Sequence, residues 1–171
     1  MQDWFTRIPK LAGILVSPLV GLSVLASATQ GLESRPILSA TLAEQASATC
    51  VDLAIAEGWR MSISVVDDAG NLLFFRRMDG AFTRSIEISR LKAETAATVP
   101  FSTLELRQHV YDNRPFPHGV EMVPGIVVFE GGEQIISSSG VKLGGIGVSG
   151  SSSENDGRCA RAALEAIAAE L

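Results

Sequence analysis

Apolar and polar positions change period several times between Ser39 and Leu171, and each change marks an element. Leu42, Ala46, Cys50, Leu53 and Ala54 recur at helical spacing. Ser39 or Thr41 can cap that helix, Glu44 makes a capping box with Thr41, and Gly58 is placed to end it. Residues 61–67 then alternate as a strand, 68–71 supply turn chemistry and 72–77 return, which predicts a hairpin. Ile88, Leu91 and Thr95 form a stripe on a helix predicted over 85–98, with Lys92 beside it and Pro100 as its stop. Ser102 and Glu105 box the start of a short helix reaching Tyr111. Pro115 and Pro117 make 113–119 irregular. Three more strands are expected at 126–129, 134–138 and 141–149, then a closing helix over 154–171.

The stretch 143–150 is the one around which the rest is organised. Ile146 and Val148 alternate with glycines, so one face of the predicted strand is apolar and the other has almost no side chains. Repeated glycine in a strand means that another backbone or a ligand comes close. Ser151, Ser152 and Ser153 can cap the helix behind it. A smooth strand meeting a helix N-terminus suits a flat or anionic ligand, which makes Gly145, Gly147 and Ser149 candidate cofactor contacts. Close packing of a helix on the sheet is the competing reading. Gly145 to Gly150 also spells G-x-G-x-x-G, but no second strand with an acidic residue follows before Leu171, so no dinucleotide site is expected.

Helix, hairpin, two helices, three strands and a helix make an α+β order, with consecutive antiparallel strands and grouped helices. The net charge is −5 and no long basic run occurs, which argues against a nucleic-acid partner. Hydrophobic weight is concentrated at the front. Arg7 and Lys10 precede an uncharged run from Leu11 to Ala26, of roughly 16 apolar residues, short for a bilayer span. Ala26 and Ala28 then suit an export peptidase. The expectation is a leader over 1–28, a linker over 29–38 and one domain over 39–171, exported to a periplasmic or extracellular space and free of the membrane after cleavage. An uncleaved N-terminal anchor is the alternative. In an oxidising compartment Cys50 and Cys159 can pair, or remain two buried thiols that never meet.

Four ordered motifs carry a family resemblance. Val66-Asp-Asp-Ala-Gly-Asn-Leu-Leu73 with Arg77-Met-Asp-Gly-Ala81, then Lys92-Ala-Glu-Thr-Ala-Ala97, then Glu130-Gly-Gly132, then Gly144-Gly-Ile-Gly-Val-Ser-Gly150 with Asp156, resemble the GlcG/HbpS family. That family is also found as the C-terminal domain of PduO-type proteins. The resemblance implies a profilin-like antiparallel sheet of about five strands flanked by helices. It also implies assembly into homo-oligomers and, in several members, haem binding. The chain departs from the family pattern where Gly131-Gly-Glu-Gln134 lacks a proline, and over 113–122, which is longer than usual.

Haem iron takes imidazole, thioether, thiolate or phenolate on its axis. His118 in the proline-rich loop is therefore the first candidate ligand, with Met122 four residues on and His109 in the short helix as others. Arg76, Arg77 and Arg84 surround the exit of the hairpin, where guanidinium groups can hold propionates or a small carboxylate, or pair with Asp67, Asp79 or Glu87. Lys92 with Asp156 is a candidate acid–base or nucleophilic pair; the plainer reading is a contact that orients helix and strand. Neither C-x-x-C nor H-E-x-x-H occurs, and no histidine follows Ser149 to complete a hydrolase triad. Three functions follow. The first is an exported haem-binding protein acting in capture or sensing and not in fast catalysis. The others are a cofactor-independent enzyme for a small organic acid or carbonyl compound, and a non-catalytic oligomeric interaction module.

Overall fold

Ser39 Oγ accepts the Leu42 N–H at 3.1 Å and starts α1 (Ala40–Glu57), which ends at Gly58 with φ 74°. The computed structural model describes residues 34–112 and 119–171, so the expected leader and the loop bearing His118 lie outside the described residues. The hairpin follows as β1 (Ser62–Asp67) and β2 (Leu72–Arg77). Its turn is held by the Asp67 carboxylate, which accepts the Ala69 and Asn71 N–H groups at 2.9 and 2.8 Å. The Asn71 side-chain amide beside it keeps that carboxyl below its usual range. Then come α2 (Ser85–Thr98), α3 (Thr103–Arg107) with the predicted capping box, and a π-helical turn at Gln108–Asp112. β3 (Gly132–Ile136), β4 (Lys142–Ser149) and α4 (Ser153–Ile167) complete the order.

The architecture is α+β, an antiparallel sheet in the order β2-β1-β4-β3 flanked by helices. Four strands are present among the described residues, where about five were expected. Residues 126–129 do not pair with the sheet; the Val127 N–H is taken by Thr95 Oγ1 of α2 at 3.1 Å instead. A four-residue apolar run does not distinguish a strand from a segment laid against a helix.

The two sheet faces differ in chemistry. Ile63, Val65, Ile146, Val148 and Ile135 point to one side and pack with Ala43, Ala46, Cys50 and Ala54 of α1 and Cys159, Ala160, Ala163 and Ile167 of α4. Cys50 and Cys159, 109 residues apart, form a disulfide between these two helices. On the other face Ser62 and Ser64 share hydrogen bonds with Ser85 and Ser89 of α2 at 2.8 and 2.9 Å. The next residues along this face are Gly147 and Gly145 of β4, opposite Ala93 and Ala97. Small residues every fourth position along α2 thus meet a strand without side chains. The expected stripe of Ile88 and Leu91 is only half-buried, because the sheet face offers α2 its backbone and no apolar side chains to pack on.

The approach is close. A Cβ at Gly147 would lie 2.0 Å from the Ser89 carbonyl oxygen and 2.4 Å from the Ala93 nitrogen; one at Gly145 would lie 2.5 Å from the Ala93 oxygen. Of the two readings of the bare strand, packing is the one that this geometry realises. Gly145 and Gly147 are covered by α2, and no ligand can reach them within this fold.

Two outcomes follow. Gly147→Ala forces backbone from backbone, so it costs at least the upper part of the ~1–3 kcal/mol typical of overpacking, read by urea unfolding. Reducing the disulfide lowers stability by about 4–5 kcal/mol in the chain-entropy description, measured with and without reductant on the same denaturant axis.

Candidate functional site

Lys92 follows from the packing just described. It precedes Ala93 on α2, so its stem is carried under the end of β4 and the residue is 0% exposed. Three protons need three acceptors. Asp156 Oδ2 takes one at 2.8 Å, the Val148 carbonyl a second at 2.9 Å, and the Phe129 ring face lies 5.0 Å from Nζ. Asp156 sits in the first turn of α4, where the helix dipole favours an anion, and its other oxygen accepts the Ser151 N–H at 3.0 Å. Gly131 crosses above with φ 123°, and a Cβ there would come within 2.6 Å of Nζ. Burial pushes Lys92 down and Asp156 up from their ordinary values, each against the attraction of its partner. The pair is closed to solvent. Its geometry is that of a strut joining α2, the 129–131 crossing and α4, with no side for a substrate to approach.

Beside the strut, Arg161 of α4 reaches Glu130 at 2.9 Å and Glu133 at 3.2 Å. Gly157 lets the Glu130 carboxylate lie against the helix, since a Cβ would meet Oε1 at 2.3 Å. No spacing rule identified Glu130, Phe129 or Arg161 as partners of this node. Glu130 entered only as part of the Glu130-Gly-Gly132 motif, and Phe129 and Arg161 carried no signal in the sequence.

Open surface lies elsewhere. A groove of about 450 Å³ runs between α1 and β2, lined by Val51, Ile55, Arg60, Arg76, Met78 and Asp79, with Arg77 at its margin. Arg76 pairs with Ile63 across the ladder and so projects to the α1 face; Arg77 pairs with Ser62 and belongs to the other. Arg77 donates to the Ala81 carbonyl at 3.2 and 2.6 Å, which braces the loop after the hairpin. Arg84 pairs with Glu87 on the surface. Among the described residues Arg76 has no hydrogen-bond or ion-pair partner.

The remaining candidates are dispersed. His109 is half-buried in the π-helical turn, its ring stacked on Phe101 at 5.3 Å. Met122 is 74% exposed in a 3-10 turn. The chain beyond it is pinned to α2, where Thr95 Oγ1 donates to the Gly125 carbonyl at 3.3 Å. Ser149 is buried at the end of β4. His118 lies outside the described residues. Lys92 and Asp156 are brought together, whereas Arg76 and the 125–127 segment lie on opposite faces of the sheet. No group of three or more metal-ligating side chains occurs among the described residues, and no helix there is long and apolar enough to cross a membrane.

A family model described as haem degrading protein HbpS-like matches residues 38–165. The chain belongs to the HbpS-like family. Protein GlcG of Escherichia coli is 31% identical over 118 residues, which is 69% of this chain and 85% of GlcG. A double mutant of Streptomyces reticuli HbpS superposes with a TM-score of 0.74 at 27% identity, covering 93% of this chain and 99% of that one. The structure of PduOC in complex with haem gives 0.70 at 30% identity, covering 77% and 96%. The Lys92–Asp156 node and the glycine strand both fall inside the matched residues.

Removing one partner from the strut strands a buried charge. Lys92→Met is expected to cost about 3–5 kcal/mol in chemical denaturation. Adding Asp156→Asn to it restores part of that loss, because asparagine still accepts the Ser151 N–H without carrying charge. A single mutant as stable as the wild type would remove the strut from the account.

Proposed function

We propose that this chain is an exported haem-binding protein of the HbpS type, acting in haem capture or sensing, and that it works as a homo-oligomer. The observation that carries the reading is the match along nearly the whole domain to a protein solved as a haem complex. Export rests on the uncharged run and the small residues at Ala26 and Ala28, and the Cys50–Cys159 disulfide supports an oxidising compartment.

The residues present fit the group in part. Arg76 in an open groove, beside Val51 and Ile55, has the chemistry to hold a propionate over an apolar surface. The described residues place no imidazole in that groove. The Met78 sulfur there already accepts the Met61 N–H at 3.4 Å. His118 remains the first candidate for the axial ligand, with Met122 and His109 as the others; neither Met122 nor His109 lines the groove.

Titration of the purified protein with haemin tests this. A saturable Soret band at a fixed ratio of haemin to subunit is expected. His118→Ala should change the position of the band, and Arg76→Gln should weaken binding about tenfold or more. Haemin uptake without saturation would mark adhesion to apolar surface and end the reading.

A further inference from the structure

The groove between α1 and β2 does not stop at the arginines. A narrower continuation of about 130 Å³ shares Val51 and Arg76 with it and runs on to Glu44, Ser47, Asp52 and Phe74. Ser47 is 1% exposed, and its hydroxyl has no hydrogen-bond partner. A helical serine ordinarily returns its proton to the carbonyl one turn back, and a buried hydroxyl left without a partner is uncommon. The two ends of the groove also differ in charge. Arg60 and, at the margin, Arg77 outweigh Asp79 at the wide end, Glu44 and Asp52 make the narrow end negative, and Arg76 stands where the two parts meet. Between them the wall is Val51 and Phe74.

We propose that this groove binds a small monocarboxylate whose apolar body lies along Val51 and Phe74 and whose far end donates a hydrogen bond. Arg76 takes the carboxylate, since its guanidinium is uncommitted, whereas Arg60 donates to the Trp59 carbonyl at 3.0 Å and Arg77 to that of Ala81. At the narrow end the ligand's donor meets Ser47, which lines the groove there and whose hydroxyl lacks a partner, with Glu44 and Asp52 alongside. A second carboxylate at that end would face two anions and be rejected, so the charge asymmetry selects against dicarboxylates. The inference shares Arg76 with the haem reading, but it stands on the groove's own charges and on Ser47.

Three probes separate the elements of the claim: 4-hydroxybenzoate, benzoate and terephthalate, titrated into the 15N-labelled full-length protein. Saturable shifts at the amides of Ser47, Val51 and Arg76 are expected, strongest in affinity for 4-hydroxybenzoate and weakest for terephthalate. Arg76→Gln should weaken 4-hydroxybenzoate about tenfold or more. Ser47→Ala should lower it to the affinity of benzoate while leaving benzoate itself unchanged. Arg76 is exposed and Ser47→Ala removes only a hydroxyl without a partner, and unchanged thermal unfolding of the variants confirms that their folds are intact. No saturable shift with any probe, equal binding to Arg76→Gln, or terephthalate bound as tightly as 4-hydroxybenzoate overturns the proposal. If 4-hydroxybenzoate binds as described and haemin does not, the haem reading fails alone; if haemin binds at fixed stoichiometry and the benzoates do not, this inference fails alone.

Discussion

α2 lies so close to β4 that no side chain fits between them, and most of the molecule follows from that distance. Gly145 and Gly147 have no Cβ to spare, and a helix can use such a strand only by presenting its own small residues. Ser85, Ser89, Ala93 and Ala97 do this at four-residue spacing. Once those positions are committed, Lys92 is carried inward beside Ala93 and cannot reach water. Its charge must be met where it lies. Asp156 supplies the answer from the first turn of α4, and Gly131 and Gly157 leave room for the segments that close over the pair.

The two faces of the sheet consequently do different jobs. The α1–α4 face is an ordinary apolar core, with a disulfide holding its two helices together. The α2 face is a close backbone contact with a buried ion pair at its margin. Open surface lies away from the centre of the sheet, at its β2 edge beside α1. Arg76 faces that surface, and the alternation of the strand decides it: Arg76 shares Ile63's face and Arg77 shares that of Ser62. Adjacent arginines in the sequence therefore have unrelated roles, one open to a ligand and one bracing the Met78–Ala81 loop.

Family membership and local geometry bear on different questions. The match over residues 38–165 says which fold this is and which proteins share it. It does not select the side chains that touch a ligand. The groove is where this chain leaves chemistry open, in a guanidinium without an ion-pair partner, a hydroxyl without a partner and an uneven distribution of charge.

Taken alone, the sequence determined the local structure well. The Ser102 cap, the Asp67–Asn71 turn, the stop at Pro100 and the α+β order all depend on neighbours a few residues apart, and period and turn chemistry report them directly; at the first helix the structure chose Ser39 over the Thr41–Glu44 box. It also raised the Lys92–Asp156 contact and the Cys50–Cys159 pair, each with an alternative that it could not remove. Tertiary structure alone decided that α2 fills the bare face of β4, that 126–129 leaves the sheet for Thr95, and that Ser47 lies in a groove with Arg76. Periodicity records which positions leave water, and it is silent on what they meet there. Those meetings join residues thirty to sixty positions apart, and their outcome depends on fractions of an ångström between backbones.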